Sequence, residues 1–135
     1  MKKNYEIGFP AHCSEGHSDM IHDAVCWFLA RYNMQSTGHA EGRVHRETIH
    51  ITLNASNYKT LKCFGQCYEW DHSDDVDYVI DVAIDQSIRD ILATVFHECV
   101  HLWQWERGTW KGEGEREAEE LQYELADEYW RCGNV

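Results

Sequence analysis

Proline is almost missing from this chain: Pro10 is the only one in 135 residues. That excludes a proline-rich linker, and no element after it has to bend around a pyrrolidine ring. No run of ~18 apolar residues occurs, so no segment has the length of a membrane-spanning helix. Two lysines open the sequence, but no apolar stretch follows them, so the N-terminus does not read as a secretory signal. The expected location is cytoplasmic. Basic residues are scarce, with 12 Lys and Arg against 24 Asp and Glu and a formal net charge of −12. Such a charge argues against a nucleic-acid or anionic-membrane partner, because both would be repelled. It suits a cation, a basic peptide or a neutral ligand, and it also simply keeps a protein soluble.

What is present can build a core. Hydrophobic residues make up 43% and aromatics 13%, and the length fits one domain over residues 1–135. The six cysteines, Cys13, Cys26, Cys63, Cys67, Cys99 and Cys132, are expected as reduced thiols, given the lack of an export signal. From about Asp19 to Tyr32, Ile21, Ala24, Val25, Phe28, Leu29 and Tyr32 form one apolar helical stripe. Thr48 to Asn54 alternates, with Ile49, Ile51 and Leu53 on one face, as a half-buried strand does. Leu61 to Trp70 reads as a second strand bent at Gly65. Asp77 to Ile84 reads as a third, with Tyr78, Ile80, Val82 and Ile84 on one face. Ser87, with Asp90 three residues on, signals a helix start. That helix has Ile88, Ile91, Leu92, Val95, Cys99 and Leu102 on its core face and stops before Gly108. A last helix runs from about Gly114 to Arg131. The expected fold class is α+β, with an N-terminal helix, a small antiparallel three-stranded sheet and a closing pair of helices.

His97-Glu98-Cys99-Val100-His101 is the motif that carries chemistry. On a helix, positions i and i+4 share a face, so two imidazoles can meet one metal at Zn–N distances of ~2.0–2.1 Å. Glu98, beside the first histidine, can reach a zinc-bound water without binding the metal. Such a water titrates near ~7, so a carboxylate can act as its base. A catalytic zinc needs a third protein ligand and one open position. Candidates lie in the acidic run from Glu113 to Glu120, which includes Glu115, Glu117, Glu119 and Glu120. Helical geometry alone does not choose among them. The acids also suit a solvated helix N-terminus.

The segment from Phe96 to Gln104, followed by Glu115-Arg116-Glu117-Ala118-Glu119, resembles the gluzincin group of metallopeptidases. It is similar in particular to minigluzincins and to small HExxH proteins of phage and bacterial genomes. The resemblance covers about Asp77 to Tyr129. It implies a zincin-like fold, Zn2+ held by His97, His101 and Glu115, Glu98 as general base, and a peptide or protein substrate. It also implies that Glu119, standing where the group has aspartate, orients a histidine. Only 13 residues separate His101 from Glu115, so a tight hairpin could bring Glu119 to the metal instead. The strand Tyr78–Ile84 would be the cleft edge that binds peptide by strand addition.

Several other features stay open at this level. Cys63 and Cys67, with Cys13, His17 and His22, could form a second zinc site, although buried thiols are the plainer reading. Trp103, Trp105 and Trp110 could line a cleft or pack the hairpin. His72, Tyr123 or Tyr129 could donate to an oxyanion. The leading expectation is a zinc peptidase. The alternatives are a zinc-bearing binding protein without turnover and a metal-dependent hydrolase of a non-peptide amide.

Overall fold

The structure, a computed structural model, describes residues 2–8, 15–32, 34, 46–69, 78–107 and 114–133. Its elements run β1 (Lys2–Gly8), α1 (Glu15–Arg31), β2 (Arg46–Ser56), α2 (Tyr58–Leu61), β3 (Gly65–Glu69), β4 (Tyr78–Ala83), α3 (Ile88–Arg107) and α4 (Gly114–Gly133). The class is α+β, as expected, but the sheet differs from the expectation. It has four strands in the order β1-β2-β4-β3 and is mixed. β1 pairs with β2 in parallel, β2 with β4 in parallel, and only β3 with β4 antiparallel. Local alternation reports which face a residue takes but not the direction of its neighbour, so an all-antiparallel sheet was the wrong inference.

β4 explains a second difference. All six of its residues are buried, whereas alternation implied one buried face. It lies between β2 and β3, and a central strand is covered on both sides. On one face Ile80 and Val82 continue the row of Ile49, Ile51 and Leu53 from β2. Opposite them, Asp81 is only 4% exposed. It accepts hydrogen bonds from Asn54 Nδ2 at 2.8 Å and Gln66 Nε2 at 2.6 Å. A buried carboxylate needs such donors, because transfer out of water without them costs several kcal/mol.

The segment expected as one bent strand from Leu61 to Trp70 splits in two. Asn57 caps the single turn of α2 by accepting the Thr60 N–H at 2.8 Å, and Lys62 ends it at φ 60°. The chain then enters β3 at Gly65. Trp70 lies outside the described residues.

α1, α3 and α4 supply the rest of the core. The α1 stripe of Ile21, Ala24, Val25, Phe28 and Leu29 is fully buried. Its Phe28 lies 6.3 Å from the Phe96 ring of α3. Burying side chains of this size contributes about 1.5–3 kcal/mol each. α4 leans on α3 through Ala118, Leu125, Ala126 and Tyr129, where the small alanines let the two axes approach. Tyr129 Oη also donates to Asp23 Oδ2 at 2.5 Å, tying α4 to α1. Ser87 starts α3 as expected, with its Oγ accepting the Asp90 N–H at 3.2 Å. No helix among the described residues is long and apolar enough to cross a membrane.

Candidate metal centre

α3 carries His97 and His101 one turn apart, and α4 carries Glu115 at its N-terminal turn. The hairpin brings them together. His97 Nε2 lies 2.7 Å from Glu115 Oε1, and His101 Nε2 lies 2.9 Å from Glu115 Oε2. The donor atoms of these three residues all fall within 4.8 Å of one another, and they form the one such group of three or more among the described residues. Glu119 does not join them. The carboxylate that meets the two imidazoles is that of Glu115. Glu117 and Glu120 are engaged elsewhere, with Gln104 and with Arg116.

The hydrogen bonds behind the imidazoles suit a metal. His97 Nδ1 is 2.7 Å from Gln122 Oε1, and His101 Nδ1 is 3.1 Å from Gln104 Oε1. An amide oxygen only accepts, so each Nδ1 donates to its glutamine and each Nε2 is the nitrogen turned toward Glu115. The Gln104 amide orientation is fixed by its other end, where Nε2 donates to Gly114 O at 3.0 Å and Glu117 Oε1 at 2.8 Å. Two imidazole nitrogens and a carboxylate converging in this way are a donor set that could hold a metal ion, and its chemistry fits Zn2+.

These two glutamines are the residues that sequence reasoning left without a role. The resemblance implied that Glu119 orients a histidine, yet Gln122 does so for His97 and Gln104 for His101. The signal was spacing: Gln104 follows His101 by three and Gln122 follows Glu115 by seven, both on one helical face.

Glu98 follows His97 on α3 and borders the same two hollows. It is 5% exposed, and no hydrogen-bond or ion-pair partner stands against it among the described residues. Burial, with Glu115 and then Asp81 nearby, pushes its carboxyl up to about 8 from an ordinary 4.5. Gly65 of β3 passes directly beside it. A Cβ there would lie 3.3 Å from Glu98 Oε2 and 2.3 Å from Thr94 Cγ2, so the missing side chain is what admits the carboxylate.

Two hollows meet at these residues. One, of about 560 Å³, is bordered by His97, Glu98 and Glu115 and reaches Phe64, Asp90 and Tyr123. The other, of about 290 Å³, borders the same three residues and reaches His101, Cys67 and Trp105. Both touch β3 at Gly65, and the smaller one continues along it past Gln66 and Cys67. The expectation that β4 forms the cleft edge is therefore corrected. β4 is paired on both sides, whereas β3 is the outer strand beside the centre.

The remaining candidates separate cleanly. Trp105 lines the smaller hollow and stacks on Tyr78 with ring centroids 6.0 Å apart. Trp103 packs edge-on against Tyr32 of the N-terminal region. Tyr129 is buried and donates to Asp23, away from the centre. Tyr123 lines the larger hollow. Cys63 and Cys67 join no group of metal donors among the described residues. Cys26, Cys63, Cys67, Cys99 and Cys132 are free thiols. Cys13, His72 and Trp110 lie outside the described residues.

Comparison with protein-family models, curated proteins and solved structures finds no match. The site thus stands on its own geometry: a group of three donors that could hold a metal ion, in an α+β domain, with a buried carboxylate beside it.

Proposed function

We propose that the chain is a zincin-like, zinc-dependent peptidase. One observation carries the reading. The two imidazole Nε2 atoms and the Glu115 carboxylate converge, and the buried Glu98 carboxylate borders both adjoining hollows without a partner of its own among the described residues. His97, His101 and Glu115 would hold the ion. The chemistry zinc supplies when bound is polarisation of a carbonyl and acidification of water. Glu98 takes the proton of the attacking water and returns it to the leaving nitrogen. Its seat against Gly65 keeps it beside, not within, the group of donors. Gln122 and Gln104 hold the imidazole tautomers and ring planes. β3 offers an outer edge along which an extended peptide can add as a further strand.

Elemental analysis and turnover test this together. Purified protein should hold about one zinc per chain, as one three-donor site requires, and His97→Ala should lose it. Glu98→Gln should keep the metal and lose peptide hydrolysis. Zinc retained in the parent and in Glu98→Gln but lost in His97→Ala, with no peptide turnover by the unaltered protein, would leave a zinc-bearing binding protein. No zinc in the folded protein, even when zinc is supplied, would remove the reading altogether.

A further inference from the structure

We propose that the bond cut is an internal one, in an extended segment that lies along α3 with about three residues on each side of the metal centre. This rests on the peptidase reading and names its substrate class. The two hollows carry the inference, because they share the centre and then part. The larger borders Asp90, Ala93, Thr94, His97 and Glu98 of α3, and the smaller borders His97, Glu98, His101 and Trp105. The β3 side repeats this order, with Phe64 and Gly65 on the larger and Gly65, Gln66 and Cys67 on the smaller. Two walls that step in the same sense define one trough, with the three donors at its middle. Helical rise sets its length. Asp90 and Trp105 stand seven positions before and eight after His97, about 10 and 12 Å along the axis. An extended peptide covers ~3.3 Å per residue, so each arm holds about three.

The lining suits a segment that passes through. A chain end held at the centre would bring a charged terminus within about one residue of the bond, ~3.3 Å of chain, and a charge taken out of water needs a partner there. Among the described residues, those bordering the smaller hollow carry no charge beyond the centre's own His97, Glu98, His101 and Glu115. The further charges of the larger hollow, Asp85 and Asp90, stand at its far end, where α3 begins.

The two arms hold the segment differently. The Ala83 N–H donates to Phe64 O at 2.8 Å, which makes these two a bonded pair of the antiparallel ladder. Bonded pairs alternate, so Gln66 and Tyr68 also turn their backbone groups toward β4, and Gly65 and Cys67 turn theirs to the outer edge. Both of these border the smaller hollow, and β3 begins at Gly65. The smaller arm therefore grips the substrate backbone. The larger arm reaches beyond the start of the strand and meets the substrate with side chains, among them Phe64, which is 56% exposed.

The test uses zinc-supplied protein and peptides acetylated and amidated at their ends, lengthened one residue at a time on either side of a fixed bond. kcat/KM should rise with length on both sides and level off at about three residues, as the arm lengths require. An ester in place of an amide that pairs with β3 should lower it about two- to tenfold, the range for one net hydrogen bond, and on one side only. Phe64→Ala removes an exposed ring, so it should unfold at nearly the same temperature and reduce the gain with length on the other side alone. Cutting that requires a free terminus, or a gain confined to one side, overturns the assignment. An ester loss on both sides or on neither, or a Phe64→Ala loss on the ester-sensitive side, does the same. If nothing is cut, the peptidase reading falls and calorimetric binding of the same peptides decides. Affinity that grows with length on both sides keeps the trough, and any other length dependence removes it.

Discussion

A single methyl group placed at Gly65 should be enough to open the cleft wall. The Cβ of Gly65→Ala would lie 2.3 Å from Thr94 Cγ2, 3.1 Å from Asp81 O and 3.3 Å from Glu98 Oε2. Carbon atoms in contact prefer ~3.5–4.0 Å, so the first distance is more than 1 Å too short. Thr94 is β-branched and on a helix, where it has few rotamers to escape into. The strain must be relieved by moving β3 away from α3, and overpacking of this kind costs about 1–3 kcal/mol. Thr94→Ser removes the offending methyl. The double variant Gly65→Ala/Thr94→Ser should therefore recover most of the loss, but not all, because the contacts to Asp81 O and Glu98 Oε2 remain. Urea unfolding of the four proteins of this cycle measures the coupling. A Gly65→Ala protein as stable as the parent, or a double variant no better than Gly65→Ala, would refute the argument that the absent side chain makes room.

Two further predictions concern the centre. Gln122→Leu should lower zinc affinity by about 10–100-fold, the usual effect of losing a ligand's orienting partner, with little change in stability. Gln104→Leu should lower both, because Gln104 is 1% exposed and links His101 to Gly114 and Glu117; competition with a chelator and thermal unfolding separate the two effects. In metal-free protein, Glu98 should make stability fall as pH rises. Its folded-state pKa of about 8 exceeds the ordinary 4.5, so between those values the folded chain keeps a proton that the unfolded chain has released. The favourable contribution is complete below the lower value and gone above the upper one, with a slope of at most about 1.4 kcal/mol per pH unit. Glu98→Gln should therefore stabilise the chelator-treated protein more at pH 8 than at pH 5; equal gains at both would sink this reasoning.

The parts of the site that depend on helical spacing were legible in the sequence. His97 and His101 one turn apart, Ser87 as a cap and the glycines at 108 and 114 located α3 and α4 closely. Glu115 could be chosen over Glu119 only by resemblance, because the chain between the helices sets their relative rotation and spacing does not encode it. The sheet was harder. Ile49, Ile51 and Leu53 showed a strand, but not that β4 joins it in parallel. β1 was missed because residues 2–8 hold only Tyr5 and Ile7 as large apolar side chains, too few for a period to show. Gly65 looked like a bend, since nothing local reveals that a carboxylate about three helical turns into α3 will sit beside it.

The arrangement of α3 and α4 also bears on how the chain folds. His101 and Glu115 are 14 positions apart, whereas the β2–β4 ladder joins Ile51 to Tyr78 and the β1–β2 ladder joins Lys2 to Arg46. Closing a short loop loses less chain entropy than closing a long one, and parallel pairing across distant segments is slow. The helical hairpin with its three donors is therefore the local, quickly formed unit, and the sheet that carries Gly65 is the non-local, slow one. An ion held between α3 and α4 would act as a cross-link on that hairpin, so metal supply during folding bears on yield as well as on activity.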